Sequence, residues 1–284
     1  MSRILLSLAA FVLSLTSAQA SVVINETNFP DEALRGYASQ YDEDGNGTLS
    51  DAELATITSI NAGGILNLKG AEHFKNLEEL LLWGYSEEES IREIDPSMFP
   101  KLYRFSLGEC NGVTVLDFSR NTMFETIELS RCSNVQALSL PTSVKEIQLF
   151  GAPKLTALDV SRLPNLIGLW LQHTGITDLD FSNHPAIQLV SIQGGEDALD
   201  QMNSLNLQNC ATLENVDIRY TTIKSLSMKH LPIVRTLMML NNDITTITID
   251  DCEEFNDITC DHNVLGTLSL TNNPALRAVN CEDN

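Results

Sequence analysis

The end of the chain repeats one apolar-x-apolar triplet every 21 residues, as Leu237-Met-Met239, Ile258-Thr-Cys260 and Val279-Asn-Cys281. Two further triplets, Ile247-Thr-Ile249 and Leu268-Ser-Leu270, fall between them, so an apolar pair recurs about every ten or eleven residues. A fixed period near 20 residues is typical of stacked coils rather than of a single globule. This stretch therefore predicts a solenoid.

The same triplet runs back through the chain and defines ten coils. Each coil has a third apolar residue three positions before the triplet, as in Leu166-x-x-Leu169-x-Leu171, and a small or polar residue three positions after it, as at Thr174. This is the L-x-x-L-x-L-x-x-N/C pattern of a leucine-rich repeat. The earlier triplets are Val216-Asp-Ile218, Val190-Ser-Ile192, Leu169-Trp-Leu171, Ile147-Gln-Leu149, Ile127-Glu-Leu129, Phe105-Ser-Leu107 and Leu80-Leu-Leu82.

This spacing has a physical reason. Side chains two apart on a strand point to the same side, so each coil sends its apolar pair into a core that the neighbouring coils complete. A second apolar pair in each coil, such as Leu158-Asp-Val160 or Leu179-Asp-Phe181, predicts another short strand. The predicted fold is a mostly β solenoid, a leucine-rich repeat horseshoe of about ten coils with a small α-helical N-terminal cap.

The first 20 residues predict a secretory signal peptide. Arg3 precedes an apolar run over Ile4–Leu15, and Ser17-Ala-Gln-Ala20 resembles a cleavage site. The alternative, a membrane span, is disfavoured because the run is too short to cross a bilayer. We therefore predict residues 1–20 as a signal peptide, 21–68 as a helical cap with an EF-hand-like loop and 69–284 as the leucine-rich repeat solenoid. The mature chain is expected to be secreted, periplasmic or at the cell surface, with no membrane insertion after cleavage.

Acidic residues dominate the charge of the chain. There are 38 Asp and Glu residues and 17 Lys and Arg residues, and the formal net charge is −21. Removal of the signal peptide also removes one basic residue, Arg3, and leaves a net charge of −22. Such a surface repels nucleic acid and favours cations and basic partners. We therefore expect no nucleic-acid partner.

The six cysteines are even in number in a chain expected to be exported, which often indicates disulfides. Their places in the repeat favour buried thiols instead. Cys260 and Cys281 occupy the inward apolar position, where a thiol acts as a small hydrophobe. Cys110 and Cys132 share a turn position in adjacent coils, about 4.8 Å apart, so one disulfide between them is the alternative.

The segment from Asp42 to Glu53 matches the 12-residue loop of an EF-hand. Oxygen donors alternate along it, Gly47 falls where that loop turns sharply, and Leu49 is placed to pack the loop on its helices. The predicted cofactor is Ca²⁺. Because only one such loop is visible, we expect it to brace the cap rather than to act as a switch; the alternative is an acidic loop that only caps the solenoid. The predicted ligands are Asp42, Asp44, Asn46, Thr48 through its carbonyl, Ser50 through water, and Glu53.

Residues that alternate with the inward pairs face outward and are expected to form the concave face of the solenoid. Phe150 and Trp170 lie on adjacent coils of this face, close enough in the pattern to touch. Exposed aromatic residues on a rigid sheet suit a protein-binding hot spot, whereas the alternative is scattered surface apolar residues without a partner. The candidate partner-binding residues are Trp83, Gln148, Phe150, Trp170, Gln172, Asp217, Arg219, Met238 and Leu240.

Two coils are longer than the others. The additional residues are the acidic segment 86–90 in one coil and the segment 194–200 in the other. Insertions in a solenoid bulge outward and often lie beside a binding face. Tolerated surface variation is the alternative, since such insertions cost little free energy.

The mature chain resembles exported bacterial leucine-rich repeat proteins of the internalin J-like kind. The resemblance is carried by the 21-residue repeat, seen for example in the segments 155–166 and 268–276, by the Cys260 and Cys281 pair, and by the opening residues 28–34 with the acidic loop that follows. It implies a curved solenoid used for surface adhesion or for binding a host protein.

The sequence contains none of the common catalytic motifs. The five histidines are scattered, and the chain has no H-E-x-x-H, no G-x-S-x-G, no P-loop and no dinucleotide fingerprint. We therefore predict a binding protein that is not an enzyme, with another protein or a glycan as its partner. The alternatives are a structural or accessory repeat domain without a specific ligand and a hydrolase that uses an acidic pair.

Overall fold

The computed structural model describes residues 21–85, 90–195 and 200–284, and it is a mostly β solenoid of about ten turns with few helices. The predicted fold class is therefore confirmed. The predicted signal peptide, residues 1–20, lies outside the described residues. Among those that are described, no helix has the length and apolar character needed to cross a bilayer.

The cap and the solenoid contain two α-helices and 20 strands within the described ranges. In chain order these are β1 (Ser21–Val23), α1 (Glu32–Ser39), β2 (Thr48–Ser50), α2 (Asp51–Thr56), β3 (Ser59–Gly63), β4 (Glu79–Trp83), β5 (Arg104–Gly108), β6 (Val115–Asp117), β7 (Thr126–Ser130), β8 (Ala137–Ser139), β9 (Glu146–Ala152), β10 (Gly168–Thr174), β11 (Asp178–Asp180), β12 (Leu189–Gln193), β13 (Ser204–Asn206), β14 (Asn215–Arg219), β15 (Ser225–Lys229), β16 (Thr236–Leu240), β17 (Thr246–Asp250), β18 (Asp257–Thr259), β19 (Thr267–Thr271) and β20 (Ala278–Asn280). Short 3-10 helices lie at Ala71–His73, Pro96–Met98 and Val160–Arg162.

Eleven parallel strands form the main sheet, in the order β3-β4-β5-β7-β9-β10-β12-β14-β16-β18-β20. Ten of them contain the repeated triplet, and β3, within the range assigned to the cap, adds one strand in front of them. Leu171, Ile192 and Ile218 are in register on β10, β12 and β14, and each is almost fully buried. The predicted inward positions therefore line up in one continuous core.

Three smaller sheets, β6-β8, β11-β13 and β15-β17-β19, form the opposite side of the solenoid. They contain the second apolar pairs of the coils, with one exception. Leu158-Asp-Val160 is not a strand, because the chain enters the 3-10 helix at Val160–Arg162. There the Ser161 hydroxyl donates to Asp159 Oδ1 over 2.6 Å. The opposite side is therefore interrupted between β8 and β11.

Buried asparagines at the turns bind the backbone of neighbouring coils. Asn242 Nδ2 donates to the carbonyl of Ile218 over 2.9 Å, and its Oδ1 accepts from the amide and the hydroxyl of Thr221 over 2.9 and 2.8 Å. Asn263 donates in the same way to the carbonyl of Met239. Turn asparagines were expected from the repeat pattern, and they satisfy backbone groups that would otherwise be buried without partners.

Asn242→Ala is expected to lower the free energy of unfolding by about 2 to 3 kcal/mol, since it leaves the buried Thr221 amide and hydroxyl without an acceptor. Asn61→Ala, at an exposed outward position of β3, is the matched control and should change the free energy by less than about 0.5 kcal/mol. Urea denaturation followed by circular dichroism measures both. Equal effects of the two substitutions would contradict this role of Asn242.

All six cysteines carry free thiols. Five are buried, whereas Cys281 in the last coil is partly exposed. The structure thus has the buried thiols that the repeat favoured, and not the alternative of a Cys110–Cys132 disulfide. Burial raises the pKa of Cys110 to about 11, which keeps this thiol protonated at neutral pH.

Candidate functional site

The acidic loop of the cap lies between two short helices, as in an EF-hand. Asp31 caps the first turn of α1, and Ser50 caps α2. Gly47 has a φ of 79°, a left-handed conformation that glycine adopts without the steric cost of a Cβ. The order of helix, loop and helix agrees with the pattern read from the sequence.

A short strand within this loop pairs with the start of the described chain. β2 is antiparallel to β1, with Val22 opposite Leu49, and Leu49 is fully buried. The backbone of the loop is therefore held by a sheet as well as by its two helices. The sequence predicted only an extended lead before the cap, because three residues are too few to show a strand period.

Three carboxylates converge in the loop. One oxygen from each of Asp42, Asp44 and Glu53 lies within 4.8 Å of the others. Within the described part of the chain, none of the three makes an ion pair with a basic side chain, so only hydrogen bonds offset the repulsion between their charges. Hard carboxylate oxygens in this number are the ligands that Ca²⁺ prefers. The donor set therefore fits a divalent cation.

The backbone of the loop orients these carboxylates. Asp42 Oδ2 accepts from the Gly47 amide over 2.8 Å, and Asp42 Oδ1 accepts from the Asn46 amide over 3.0 Å. Glu53 is 8% exposed; it accepts from the Ser50 amide and hydroxyl, and from the Glu43 amide. These bonds to Ser50 lower the pKa of Glu53, so its carboxylate is charged at neutral pH.

The cap is joined to the first coil by direct contacts. Within the cap, Asp31 Oδ2 accepts from the amides of Leu66 and Asn67 over 2.8 and 3.1 Å and so holds the segment that leads into the first coil, while its other oxygen caps α1. Phe29 stacks on Phe74 at a centroid distance of 6.0 Å. The cap and the solenoid are thus parts of one packed structure.

The outward positions of the main sheet form three rows, which together we call the outer face. The middle row contains Gln148, Trp170, Asp217 and Met238, in register on β9, β10, β14 and β16 with Ser191 on β12 between them. The second row contains Trp83, Phe150, Gln172, Arg219 and Leu240. The candidate partner-binding residues therefore all lie on one face, in the predicted order.

A depression of about 270 Å³ lies in the middle of the outer face. Trp170 lines one side and Met238 the other, and Asp217 lies between them. The depression also contains a third row of outward residues, which the sequence reading did not include. Its members in the depression are Leu189, Asn215 and Thr236. Each lies one position before an inward apolar residue, and this position in the repeat could have identified them from the sequence.

Phe150 and Trp170 do not share a row. Phe150 is in register with Gln172, and Trp170 with Gln148. The six-membered ring of Trp170 instead lies over Gly168 on its own strand, where an added Cβ would be 2.4 Å from Cη2. The two rings are not among the aromatic pairs formed by the described residues. The contact between Phe150 and Trp170 that the sequence pattern allowed is therefore not formed among the described residues.

Asp217 and Arg219 form a bidentate ion pair on the outer face. Arg219 Nε and Nη2 donate to the two oxygens of Asp217 over 2.7 and 2.9 Å, and Nη2 lies 3.6 Å from the sulfur of Met238. Both charged side chains are about one-third exposed. The pair places a fixed, nearly neutral polar group beside the depression.

A second aromatic cluster lies near the cap end of the outer face. Trp83 is 41% exposed and lies over Gly63, and Tyr85, which the sequence reading left out of the site, is 67% exposed and lies over Gly64. Tyr85 follows the strand and so falls outside the repeated triplet. Most of the additional residues in the two longer coils, 86–89 and 196–199, lie outside the described residues.

The chain matches no family model and no curated protein. Its structure is similar to that of internalin C2 from Listeria monocytogenes, with a TM-score of 0.52 and 19% identity over 82% of this chain and 98% of that one. It is also similar to the functional domain of InlJ from Listeria monocytogenes, which includes a cysteine ladder, with a TM-score of 0.48 and 16% identity over 94% of this chain and 71% of that one. At this identity the likeness to internalin C2 bears on the fold alone, and it agrees with a leucine-rich repeat solenoid.

Proposed function

We propose that the chain is an exported binding protein that holds another protein against the outer face of its main sheet. The observation that carries this proposal is the depression between Trp170 and Met238, which is set in a rigid parallel sheet. Large, partly exposed side chains on a rigid support contribute most of the energy at protein interfaces, because little conformational entropy is lost on binding. A glycan is the second candidate, since Trp170 offers an aromatic surface.

Catalysis by an acidic pair is not supported by the arrangement of the described residues. Such a hydrolase needs one carboxyl group with a raised pKa opposite a second carboxylate. Burial raises the pKa of Asp200, but this group faces His173 at 3.6 Å and not another carboxylate. Binding therefore explains the outer face better than hydrolysis does.

We also propose that Ca²⁺ binds in the cap loop and braces the first coil. Asp42, Asp44 and Glu53 would be the charged ligands, with Asn46, the Thr48 carbonyl and a water held by Ser50 completing the shell. The support is the convergence of three carboxylates that have no basic partner among the described residues. The ion would offset their repulsion and fix the loop that joins β1, α1 and α2.

Export to the periplasm, the cell surface or the medium is the third part of the proposal. It rests on the apolar segment at 4–15, and the proposed calcium site is consistent with the higher calcium concentrations outside cells. A mature N-terminus at Ser21, found by sequencing the protein from culture medium or a cell envelope, would support it. A mature chain that retains Met1 inside the cell would contradict it.

Trp170→Ala is expected to weaken capture of the partner by about 30-fold, because a central aromatic residue of an interface often contributes about 2 kcal/mol or more. The purified chain without residues 1–20 is immobilised, and bacterial and host surface extracts are passed over it. Proteins retained by the wild type should be lost with Trp170→Ala and reduced with Met238→Ala.

Met123→Ala is the matched control for Met238→Ala, since Met123 is 57% exposed and lies outside the strands of the main sheet. It should retain the same proteins as the wild type. If Trp170→Ala retains them equally well, the outer face is not the binding surface. If a glycan array binds the wild type and loses binding with Trp170→Ala, the partner is a glycan and not a protein.

A further inference from the structure

We propose that Cys260 and Cys281 form a disulfide when the folded chain meets a disulfide oxidant, either a small molecule or the disulfide of a thiol oxidoreductase. Both cysteines are reduced in the structure. The site lies on the inward side of the main sheet, at the ends of β18 and β20, and takes no residue from the proposed binding face. The contact between the two sulfurs and the difference in their exposure carry the inference.

The two sulfurs are already in contact. Cys260 Sγ lies 3.1 Å from Cys281 Sγ. The two cysteines directly follow β18 and β20, which are parallel and in register. The Cys260 amide donates to the Asn280 carbonyl over 2.8 Å, so the parallel pairing continues to the cysteines. Equivalent residues of neighbouring strands are about 4.8 Å apart, within the Cα separation of about 4.4 to 6.8 Å found across disulfides.

The position of β20 allows the sulfurs to close the remaining distance. A disulfide joins its sulfurs at about 2.05 Å, so the two must approach by roughly 1 Å. Among the described strands, β20 is at the edge of the main sheet, where it pairs with β18 alone, and its three residues are exposed. A strand with few buried contacts moves at less cost than one held between two neighbours. The bond can therefore form without repacking of the central coils.

The two thiols differ in accessibility. Cys281 is partly exposed, whereas Cys260 is fully buried. Thiol–disulfide exchange begins with a thiolate that can reach the oxidant. Cys281 therefore reacts first and Cys260 second.

Two exchanges form the bond. In the first, Cys281 releases its proton and its thiolate attacks one sulfur of the oxidant; the sulfur–sulfur bond of the oxidant breaks, and the leaving thiolate takes up a proton. In the second, the Cys260 thiolate attacks Cys281 Sγ, the mixed disulfide breaks, and a second thiol leaves with a proton. The two cysteines thus lose two electrons and two protons, and the oxidant gains them as two thiols.

The second exchange takes place within the protein. Burial and the neighbouring Cys281 thiol raise the pKa of Cys260 to about 12, which keeps Cys260 protonated in the reduced protein. Once Cys281 is a mixed disulfide it no longer ionises, so its part of that increase is removed. The contact between the sulfurs also holds the attacking group at its target, which favours closure over reaction with a second molecule from solution.

The test maps cross-links in the wild-type protein. The folded chain without residues 1–20 is treated with the neutral oxidant hydroxyethyl disulfide at about pH 8, near the ordinary pKa of a thiol. Remaining thiols are blocked with N-ethylmaleimide, and the digested protein is analysed by mass spectrometry. We expect the Cys260–Cys281 cross-link to be at least about tenfold more abundant than any other, including Cys110–Cys132.

Three variants separate the two exchanges. Cys260→Ala should stop the reaction at a mixed disulfide on Cys281, with at least about tenfold more of that species than in the wild type. Cys281→Ala should leave Cys260 reduced. Cys252→Ala is the matched control, since Cys252 is also a buried thiol and its sulfur donates to the Asp250 carbonyl. It should change the yield of the cross-link by less than about twofold.

Two results would overturn the inference. In the first, the wild type retains as much mixed disulfide on Cys281 as Cys260→Ala does, which means that the sulfurs cannot close. In the second, Cys281 does not react, or the Cys260–Cys281 cross-link is no more abundant than the others, which means that the contact gives no selectivity. Circular dichroism before and after treatment checks that the protein stays folded. Neither result affects the proposed binding function, which is tested separately through Trp170.

Discussion

Phe118→Ala is expected to lower the free energy of unfolding by about 3 to 5 kcal/mol, because it leaves a cavity in the core. The ring is buried and stacks on Phe124 at 4.2 Å between centroids, and it meets the edge of Phe105 at 5.0 Å. Phe105 belongs to the main sheet, whereas Phe118 directly follows β6 on the opposite side. Removal of the ring therefore leaves a cavity that disconnects the two sides of one coil.

Val115→Ala is the matched control for Phe118→Ala. Val115 lies on β6, three residues away, but its side chain is 56% exposed. Its truncation should cost less than about 0.5 kcal/mol. Urea denaturation followed by circular dichroism compares both variants with the wild type. A loss below about 1 kcal/mol for Phe118→Ala would mean that the three rings do not form the packed cluster described above.

Calcium is expected to stabilise the cap by about 2.7 kcal/mol when its concentration is 100 times the dissociation constant. For a site with a dissociation constant of about 10⁻⁴ M, this requires about 10 mM calcium. The physical reason is that the ion binds the folded loop and offsets the repulsion between Asp42, Asp44 and Glu53. Hydrogen exchange of the α1 and α2 amides should therefore slow by about 100-fold relative to the protein in EDTA.

Glu53→Gln should abolish most of this calcium effect, because an amide is a poor substitute for the bidentate carboxylate. Asp51→Asn is the matched control, since it removes an exposed charge from the same helix without removing a predicted ligand. It should keep the full slowing of exchange. Equal slowing in wild type and Glu53→Gln, or none in the wild type, would show that the loop only caps the solenoid.

The apolar period was enough to predict the register of the main sheet. Inward and outward positions alternate strictly on a strand, so the identity of Leu237 and Met239 as core residues also assigns Met238 to the surface. β3 was not recognised as part of the sheet because Ile60 and Ala62 are a weaker apolar pair than those that follow. The exception at Val160–Arg162 has no marker in the local sequence, since Asp117 and Asp180 also accept a bond from the serine two residues on and yet end the strands β6 and β11.

The turns were the least predictable part of the solenoid. Glu109, Arg131, His173 and Tyr220 all adopt left-handed conformations with φ between 51° and 55°, although none is glycine. Among the described residues, nine of the twelve non-glycine residues with a left-handed conformation are Asn, Asp or His, the types that adopt it most readily, so local preference marks most of these turns. Glu109, Arg131 and Tyr220 lack that preference, and the position in the repeat determines their conformation.

The sequence predicted which residues of the candidate site face outward, but not how their side chains are grouped. Trp170, Asp217 and Met238 were each identified as outward residues, yet their grouping around one depression depends on the row that contains Leu189 and Asn215. The direction of the Trp170 ring depends on Gly168, two residues earlier on the same strand. Side-chain direction of this kind follows from packing, which the repeat period does not specify.

Oxidation of the adjacent Met238 and Met239 tests the central claim most directly, because it compares an outward with an inward side chain in the unmodified protein. Met238 is partly exposed on the outer face, and Met239 is fully buried in the core. After brief treatment of the folded protein with hydrogen peroxide, tandem mass spectrometry should find Met238 sulfoxide forming at least about tenfold faster than Met239 sulfoxide. Equal rates, or faster oxidation of Met239, would contradict the alternation on which both the core and the proposed binding face depend.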